Sequence, residues 1–198
     1  MNANTNEAAS LAEFITRIQS PDDAISGPAW QGAQIYGPAA IQPLADMMGS
    51  GDFEVARKAK RALYIITRHA GRPGAADEAR AAESALISAL RRNQATVRRE
   101  ALWMLSEIGG DRAVRPMAAL LTDEEAREDA RAALMRLPGK RATAALRAAF
   151  RAAPEPFKYA LADALRKRGA QVEGYPTRKL TPSKQTTVTP VVQRLPAS

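Results

Sequence analysis

One pattern of apolar residues recurs along this 198-residue chain at intervals of about 30 residues. It runs over residues 97–109, returns over 126–139 and 157–169, and has looser copies over 55–66 and 25–37. Within each copy the apolar positions fall at offsets of 0, 4, 7, 8 and 11. Because these offsets lie on one face of an α-helix, each copy predicts a helix that buries a single stripe.

A shorter helical pattern precedes most of these copies. Alanine, proline and further apolar residues recur at the same spacing over residues 40–48 and 113–121, and looser versions lie over 82–90 and 142–150. Pro43 and Pro116 take the same place in their copies, near the expected helix start, where a missing N–H costs little. The proline is therefore a feature of the repeat.

Together the two patterns predict an all-α fold of about five antiparallel helix pairs. Alanine makes up about a fifth of the residues and aromatics only 5%, which suits close packing between helices. The repeat domain is expected over residues 9–169, after a flexible N-terminus at 1–8. Its predicted units are residues 9–37, 38–71, 79–109, 110–139 and 140–169.

Helix pairs of this length, with the patterns Ala-Val-x-Pro-Met and Val-x-x-x-Ala-x-x-x-Leu-x-x-Ile-Gly, resemble the HEAT repeat family, especially its short bacterial version. The resemblance covers residues 9–169 and is strongest over 94–169. It implies a right-handed α-solenoid, with the first helices of each pair on the convex side and the second helices lining the concave side. It implies no fixed active site, so no catalytic residue is transferred from it.

Residues that catalysis and metal binding commonly use are scarce. The chain has no cysteine and one histidine, His69, which stands at an expected helix end just before Gly71. A cation suits that position electrostatically, and one histidine does not make a metal site. No glycine-rich phosphate loop or nucleophile elbow is present. We therefore expect a non-catalytic protein with no cofactor, no metal and no small-molecule substrate.

The sequence carries no recognisable targeting or membrane signal. Its first twenty residues lack a basic segment followed by an apolar core, and no run of 18 apolar residues occurs. The expected location is the cytoplasm, with no membrane partner.

Charge is spread unevenly along this basic chain. The formal net charge is +8, but residues 1–50 carry −4, residues 51–169 carry +9 and residues 170–198 carry +3. Two interpretations fit this asymmetry. One is a surface for an acidic partner, and the other is an arginine-rich solvated surface.

The helical periodicity stops at Ala170. Residues 170–198 mix proline, threonine and basic residues with a few valines, which predicts a mostly disordered tail. In the alternative, Tyr175 and Leu180 fold the tail back over the last repeat.

The predicted binding surface is the exposed side of the second helices. Positions opposite the buried stripe hold the chain's only two tryptophans together with basic residues and tyrosines, a mixture typical of recognition surfaces. The alternative for the tryptophans is that they fill space between neighbouring helices. The candidate partner-binding residues are Trp30, Arg57, Lys60, Arg61, Tyr64, Arg99, Trp103, Arg131, Tyr159 and Arg166.

Three classes of function are compatible with this surface. The first is a scaffold whose concave face binds a protein or peptide partner, expected to be acidic. The second is a nucleic-acid-binding protein that grips the phosphate backbone, as some HEAT-like DNA glycosylases do. The third is an enzyme or chaperone similar to the bilin lyases, although no residue here marks that chemistry. The sequence favours the scaffold.

Overall fold

A computed structural model describes residues 3–177, with side chains from Ser10 onward. The predicted tail residues 178–198 and residues 1–2 lie outside the described residues. The described part contains ten α-helices and no β-strand. In chain order the helices are α1 (Ala3–Gln19), α2 (Asp23–Gln31), α3 (Ile41–Met48), α4 (Phe53–Ala70), α5 (Ala76–Ala89), α6 (Ala95–Ile108), α7 (Asp111–Ala119), α8 (Arg127–Arg136), α9 (Lys140–Ala152) and α10 (Glu155–Lys167).

The helices stack in two parallel rows. The odd helices α3, α5, α7 and α9 contact one another in sequence, and so do the even helices α2, α4, α6, α8 and α10. Each odd helix from α3 onward also packs on the even helix that follows it, and short loops connect the two. Helices joined in this way run antiparallel. This arrangement confirms the predicted all-α solenoid.

The apolar stripes of the even helices meet in one core. Leu63, Leu105, Leu134 and Leu165 hold the same place in their respective copies of the pattern, and each is at most 1% exposed. All four belong to a single cluster of buried residues that extends through the whole stack. A repeat of this kind is stable because each helix pair buries its apolar face against its neighbours.

The first unit departs from the predicted pattern. The looser copy at 25–37 is not one helix, because α2 ends at Gln31 and a 3-10 segment covers Ala33–Ala40. Pro28 and Gly32 weaken the helix there, and Ile25, expected in the stripe, is 43% exposed. At the other end of the unit, α1 already begins at Ala3, so the helix includes residues 3–8, which were expected to be flexible.

The two prolines of the shorter pattern also differ in position. Pro43 lies in the first turn of α3, as predicted, whereas Pro116 lies in the interior of α7. At Pro116 the ring removes a hydrogen bond to the preceding turn. Helix α7 ends three residues later and continues as a 3-10 turn, Leu120–Thr122. The expectation that Pro116 marks a helix start is therefore wrong.

The last copy of the pattern has a cation, Arg168, where the other copies have an apolar residue, and the contacts of its side chain show why. Its guanidinium reaches back from the end of α10 to the end of α8, and burial lowers its pKa. It donates hydrogen bonds to Thr143 Oγ1 and to four backbone carbonyls, those of Leu134, Met135, Leu137 and Gly139. Arg168 thereby satisfies helix-end carbonyls that have no partner within their own helix.

Shortening a central core side chain tests the stack. Leu105→Ala is expected to lower the free energy of unfolding by about 2–5 kcal/mol, because Leu105 is fully buried and its neighbours refill the space only partly. Urea unfolding followed by circular dichroism measures this. The matched control is Ile35→Ala at a position 76% exposed, where a change within about 0.5 kcal/mol is expected. Equal losses in the two variants would contradict the assigned core.

A second substitution tests the role of Arg168. Arg168→Lys keeps the charge but loses the planar fork that reaches several carbonyls at once. We expect a loss of about 1–3 kcal/mol in the free energy of unfolding, since hydrogen-bonded carbonyls are left without donors. The same urea measurement applies. A lysine variant as stable as the wild type would mean that Arg168 is not a structural link between α8 and α10.

Candidate functional site

The exposed sides of α2, α4, α6, α8 and α10 form one surface, here called the second-helix face. Over the described residues, three hollows follow one another along this face. The first, of about 810 Å³, lies over α2, α4 and α6, and the second, of about 400 Å³, continues over α6 to α8. These two hollows share the residues Lys60, Tyr64, Thr96 and Glu100, and together they are called the groove. The third hollow, of about 740 Å³, lies between α8 and α10.

All ten candidate residues lie on the second-helix face, and nine of them line a hollow. The first hollow is lined by Trp30, Arg57, Lys60, Arg61 and Tyr64, and the second adds Arg99 and Trp103. Arg131 and Tyr159 line the third hollow. Arg166 lies on α10, where it binds the segment that follows the helix. Whether these residues bind a partner remains a prediction.

Glu100 organises the centre of the groove. One of its carboxylate oxygens accepts a hydrogen bond from Lys60 Nζ, and the other accepts one from the Tyr64 hydroxyl at 3.0 Å. Burial, followed by the negative charge of Glu100, raises the pKa of Tyr64 well above its ordinary value. Tyr64 therefore stays a neutral donor throughout the physiological range, and α4 is tied to α6 at this point.

Three further candidate cations are also paired with carboxylates on the same face. Arg99 Nε lies 2.8 Å from Asp129, across from α6 to α8. Arg57 pairs with Glu54 and Arg131 with Glu128, each within one helix. These cations are therefore partly neutralised by carboxylates that are not part of the repeated apolar pattern.

Two arginines stack on the tryptophans instead of pairing with carboxylates. The guanidinium carbon of Arg61 lies 5.1 Å from the centroid of the Trp30 ring, and that of Arg136 lies 4.6 Å from the Trp103 ring. Among the described residues, neither arginine has an ion pair. Trp103 remains 40% exposed, so it does not serve only to fill space between helices. The two pairs flank the Glu100 network, one on each side.

Sequence reasoning missed several residues of this face. Phe53, the first residue of α4, is 76% exposed and lines the first hollow, but it precedes the repeated pattern. Arg136 and Glu100 occupy offsets that the predicted exposed positions did not include. Conversely, Leu102 and Ala162 lie opposite the predicted stripe, on the side expected to be exposed, and both are fully buried. For Leu102 the reason is that α6 packs between α4 and α8 as well as on α5, so its buried arc is wider than one stripe.

Residues 170–177 lie against the last repeat, so the predicted disorder does not begin at Ala170. The Tyr175 ring packs edge-on against Phe150 and Tyr159, with centroids 5.2 and 5.1 Å away, and its hydroxyl donates to Glu155 at 3.0 Å. Arg166 Nη2 donates to the carbonyl of Tyr175 at 2.6 Å. This matches the docked alternative for Tyr175, whereas Leu180 lies outside the described residues.

The turn before this contact is conformationally demanding. Gly174 and Tyr175 both have positive φ, 66° and 48°, and Tyr175 is the one non-glycine residue in residues 3–177 with that property. A bulky residue takes this conformation only where surrounding contacts hold it. The ring contacts and the Arg166 hydrogen bonds supply them. As a result, the face of α10 that carries Tyr159 and Arg166 is covered by the chain itself.

The described residues contain no group of three or more histidine, cysteine, aspartate or glutamate side chains placed to hold a metal ion. Over the same part of the chain, every helix is too short or too polar to cross a bilayer.

Comparisons with known proteins find only distant similarities. No family model matches the chain, and no curated protein matches it. Among solved structures it is similar to a designed armadillo repeat protein in complex with the peptide (KR)4, at 19% identity and a TM-score of 0.41, over 81% of this chain and 88% of that one. An engineered protein shares 20% identity at a TM-score of 0.40, over 85% and 83% of the two chains. A second designed armadillo repeat protein shares 17% identity at a TM-score of 0.36, over 79% and 99%.

The Glu100 network is testable by titration. Glu100→Gln removes the negative charge next to Tyr64, so the pKa of Tyr64 is expected to fall toward its ordinary value. Phenolate absorbance measured against pH reports the change, and Tyr64→Phe identifies which part of the curve belongs to Tyr64. If the Tyr64 component were unmoved in Glu100→Gln, the hydrogen-bonded network at the centre of the groove would be contradicted.

Proposed function

We propose that this chain is a non-catalytic repeat scaffold of the HEAT type that binds a protein or peptide segment in the groove. The observation that carries the proposal is the exposure of large aromatic side chains on a rigid helical surface. Phe53 is 76% exposed and Trp103 40% exposed, and both line hollows that are open to solvent. Tryptophan in particular contributes a large share of the binding energy at protein interfaces.

The groove would bind a partner with little rearrangement of its own side chains. Its side chains stand on helices, and ion pairs across the helices fix α4 to α6 at Glu100 and α6 to α8 at Asp129. A surface that is already ordered loses little conformational entropy on binding. The apolar part of a partner segment would therefore pack on Phe53, Tyr64 and Trp103.

An acidic partner would be recognised at two points. Arg61 and Arg136 have no carboxylate partner among the described residues, and each is held in place over a tryptophan ring. A carboxylate of the partner can pair with each guanidinium while its apolar neighbours pack on the rings. The acidity of the partner thus rests on these two arginines. The other predicted cations already have partners, which are backbone carbonyls for Arg166 and carboxylates for Arg57, Lys60, Arg99 and Arg131.

The same pairing weakens the nucleic-acid alternative for this face. A protein that grips a phosphate backbone needs unpaired cations along its contact surface. Lys60, Arg57, Arg99 and Arg131 are all paired within the groove or next to it. A protein or peptide segment with apolar and acidic residues fits the surface better.

Selection of peptides against the full chain tests the proposal. A displayed library of random peptides is expected to yield binders that contain apolar residues next to aspartate or glutamate. Trp103→Ala should weaken these binders by about tenfold or more, as loss of an aromatic anchor does. Arg136→Ala should reduce the preference for acidic residues. Fluorescence anisotropy of labelled peptides measures both effects.

The matched control is Arg147→Ala, an exposed arginine of α9 in the odd row. It removes the same charge from the opposite side of the stack and should leave affinity unchanged. Binders that lose affinity in Arg147→Ala but not in Trp103→Ala would overturn the groove as the binding surface. Mixed-sequence duplex DNA titrated under the same conditions should bind feebly, and strong, salt-sensitive binding would favour the nucleic-acid alternative.

A further inference from the structure

We propose that the groove recognises an extended partner segment that carries two acidic residues about six residues apart, with uncharged residues between them. The inference rests on the proposed function, because it specifies the partner of the same surface. It adds a spacing and a backbone conformation, which the exposure of aromatic side chains does not define.

One combination of side chains occurs twice along the even row of helices. In each case an arginine of one even helix stacks on a tryptophan of the even helix before it. Arg61 of α4 stacks on Trp30 of α2 at 5.1 Å. Arg136 of α8 stacks on Trp103 of α6 at 4.6 Å. The second combination is thus displaced from the first by two helices, and both offer a partner the same chemistry.

The two guanidinium groups are available to a carboxylate. Arg61 and Arg136 are both exposed, and among the side chains that the structure describes neither has a carboxylate partner. Stacking on a ring occupies the flat face of a guanidinium group, whereas its N–H donors lie along the edge. A carboxylate can therefore form two parallel hydrogen bonds with each arginine without displacing it from the tryptophan.

The distance between the two arginines sets the spacing of the acidic residues. Helices α4, α6 and α8 contact one another in sequence. Arg61 and Arg136 therefore stand two helix steps apart, which is about 20 Å at about 10 Å per step. An extended chain advances about 3.3 Å per residue, so it covers that distance in about six residues.

The shape of the groove favours an extended segment over a helix. Spread over the three helix steps from α2 to α8, about 30 Å, the hollows of about 810 and 400 Å³ have a mean cross-section of about 40 Å². An extended strand fills about 50 Å², at about 4.8 Å by about 10 Å. A helix with its side chains is about 10–12 Å across and fills about 80–110 Å². The groove therefore fits a strand more closely than a helix.

The centre of the groove does not suit a third acidic residue. Between the two arginine–tryptophan pairs, Lys60 and Tyr64 both donate to the carboxylate of Glu100. The cation at this point thus already has a partner, and Glu100 itself would repel a second carboxylate. The residues of the partner that cross the centre are therefore expected to be uncharged.

A series of synthetic peptides bound to the full chain tests the spacing. Each peptide has an uncharged host of alanine, serine and glutamine, and carries two Glu-Leu pairs whose glutamates lie two, six, ten or fourteen residues apart. The spacing of six is expected to bind about tenfold more tightly than the spacing of two, which is too short to reach both arginines. Longer spacings should lose affinity gradually. Fluorescence anisotropy measures each affinity.

Variants of the two arginines show whether they are the points of contact. In Arg61→Gln or Arg136→Gln only one pair remains, so the spacing of six should bind no better than the spacing of two. The matched control is Arg147→Gln, an exposed arginine of α9 in the odd row, which should keep the full dependence on spacing. A third glutamate placed midway in the best peptide should not strengthen binding. Circular dichroism checks that each variant retains its helices.

Four results would overturn the inference. Equal affinity at every spacing, with Trp103→Ala still weakening each peptide, would remove the spacing preference and leave the groove as the binding surface. A maximum at fourteen residues, where a helix rising about 1.5 Å per residue spans the two arginines, would mean a helical partner. A dependence on spacing that survives both arginine variants would mean that other cations receive the carboxylates. Failure of the six-spaced peptide to bind, while peptides selected from the library do bind in the groove, would refute this inference alone.

Discussion

Burial of one apolar stripe per even helix, against its odd partner and against the neighbouring even helices, is the constraint on which the rest of the structure depends. Leu63, Leu105 and Leu134 are each at most 1% exposed because three helices surround each of them. No single helix pair can bury that stripe by itself, so the pairs are stable only as a stack. The stack in turn leaves one side of the even helices uncovered by other helices, and those sides together form the second-helix face.

The ion pairs of the second-helix face form between helices that the stack brings side by side. Ion pairs such as Lys60–Glu100 and Arg99–Asp129 join neighbouring even helices. Exposed pairs of this kind contribute at most about 1 kcal/mol each to stability, so the fold does not depend on them. Their effect is to balance the charge of the groove and to fix its side chains. Under the proposed function, a partner would then be bound by the aromatic side chains and by the two arginines, Arg61 and Arg136, that stack on tryptophan.

Part of the fold and of the second-helix face is predictable from sequence, because it depends on the spacing of residues within one helix. The stripes of α4, α6, α8 and α10 follow directly from apolar offsets, and so does the placement of Trp103 on the exposed side. The ion pairs are different, since Lys60 and Glu100 are 40 residues apart and meet only through the register of two stacked helices. The burial of Leu102 likewise depends on how closely α4 and α8 approach α6. The looser copy at 25–37 does not form one helix, because α2 ends at Gln31 and a 3-10 segment follows it.

The central claim, that the second-helix face is the binding surface, is tested most directly by nuclear magnetic resonance. The chain has two tryptophans, so its spectrum contains two indole N–H signals, one from Trp30 and one from Trp103. Titration with a selected acidic peptide should shift both signals and leave the backbone signals of α7 and α9 unmoved. Shifts confined to α7 and α9, with both indole signals unchanged, would place binding on the opposite side of the stack and contradict the account.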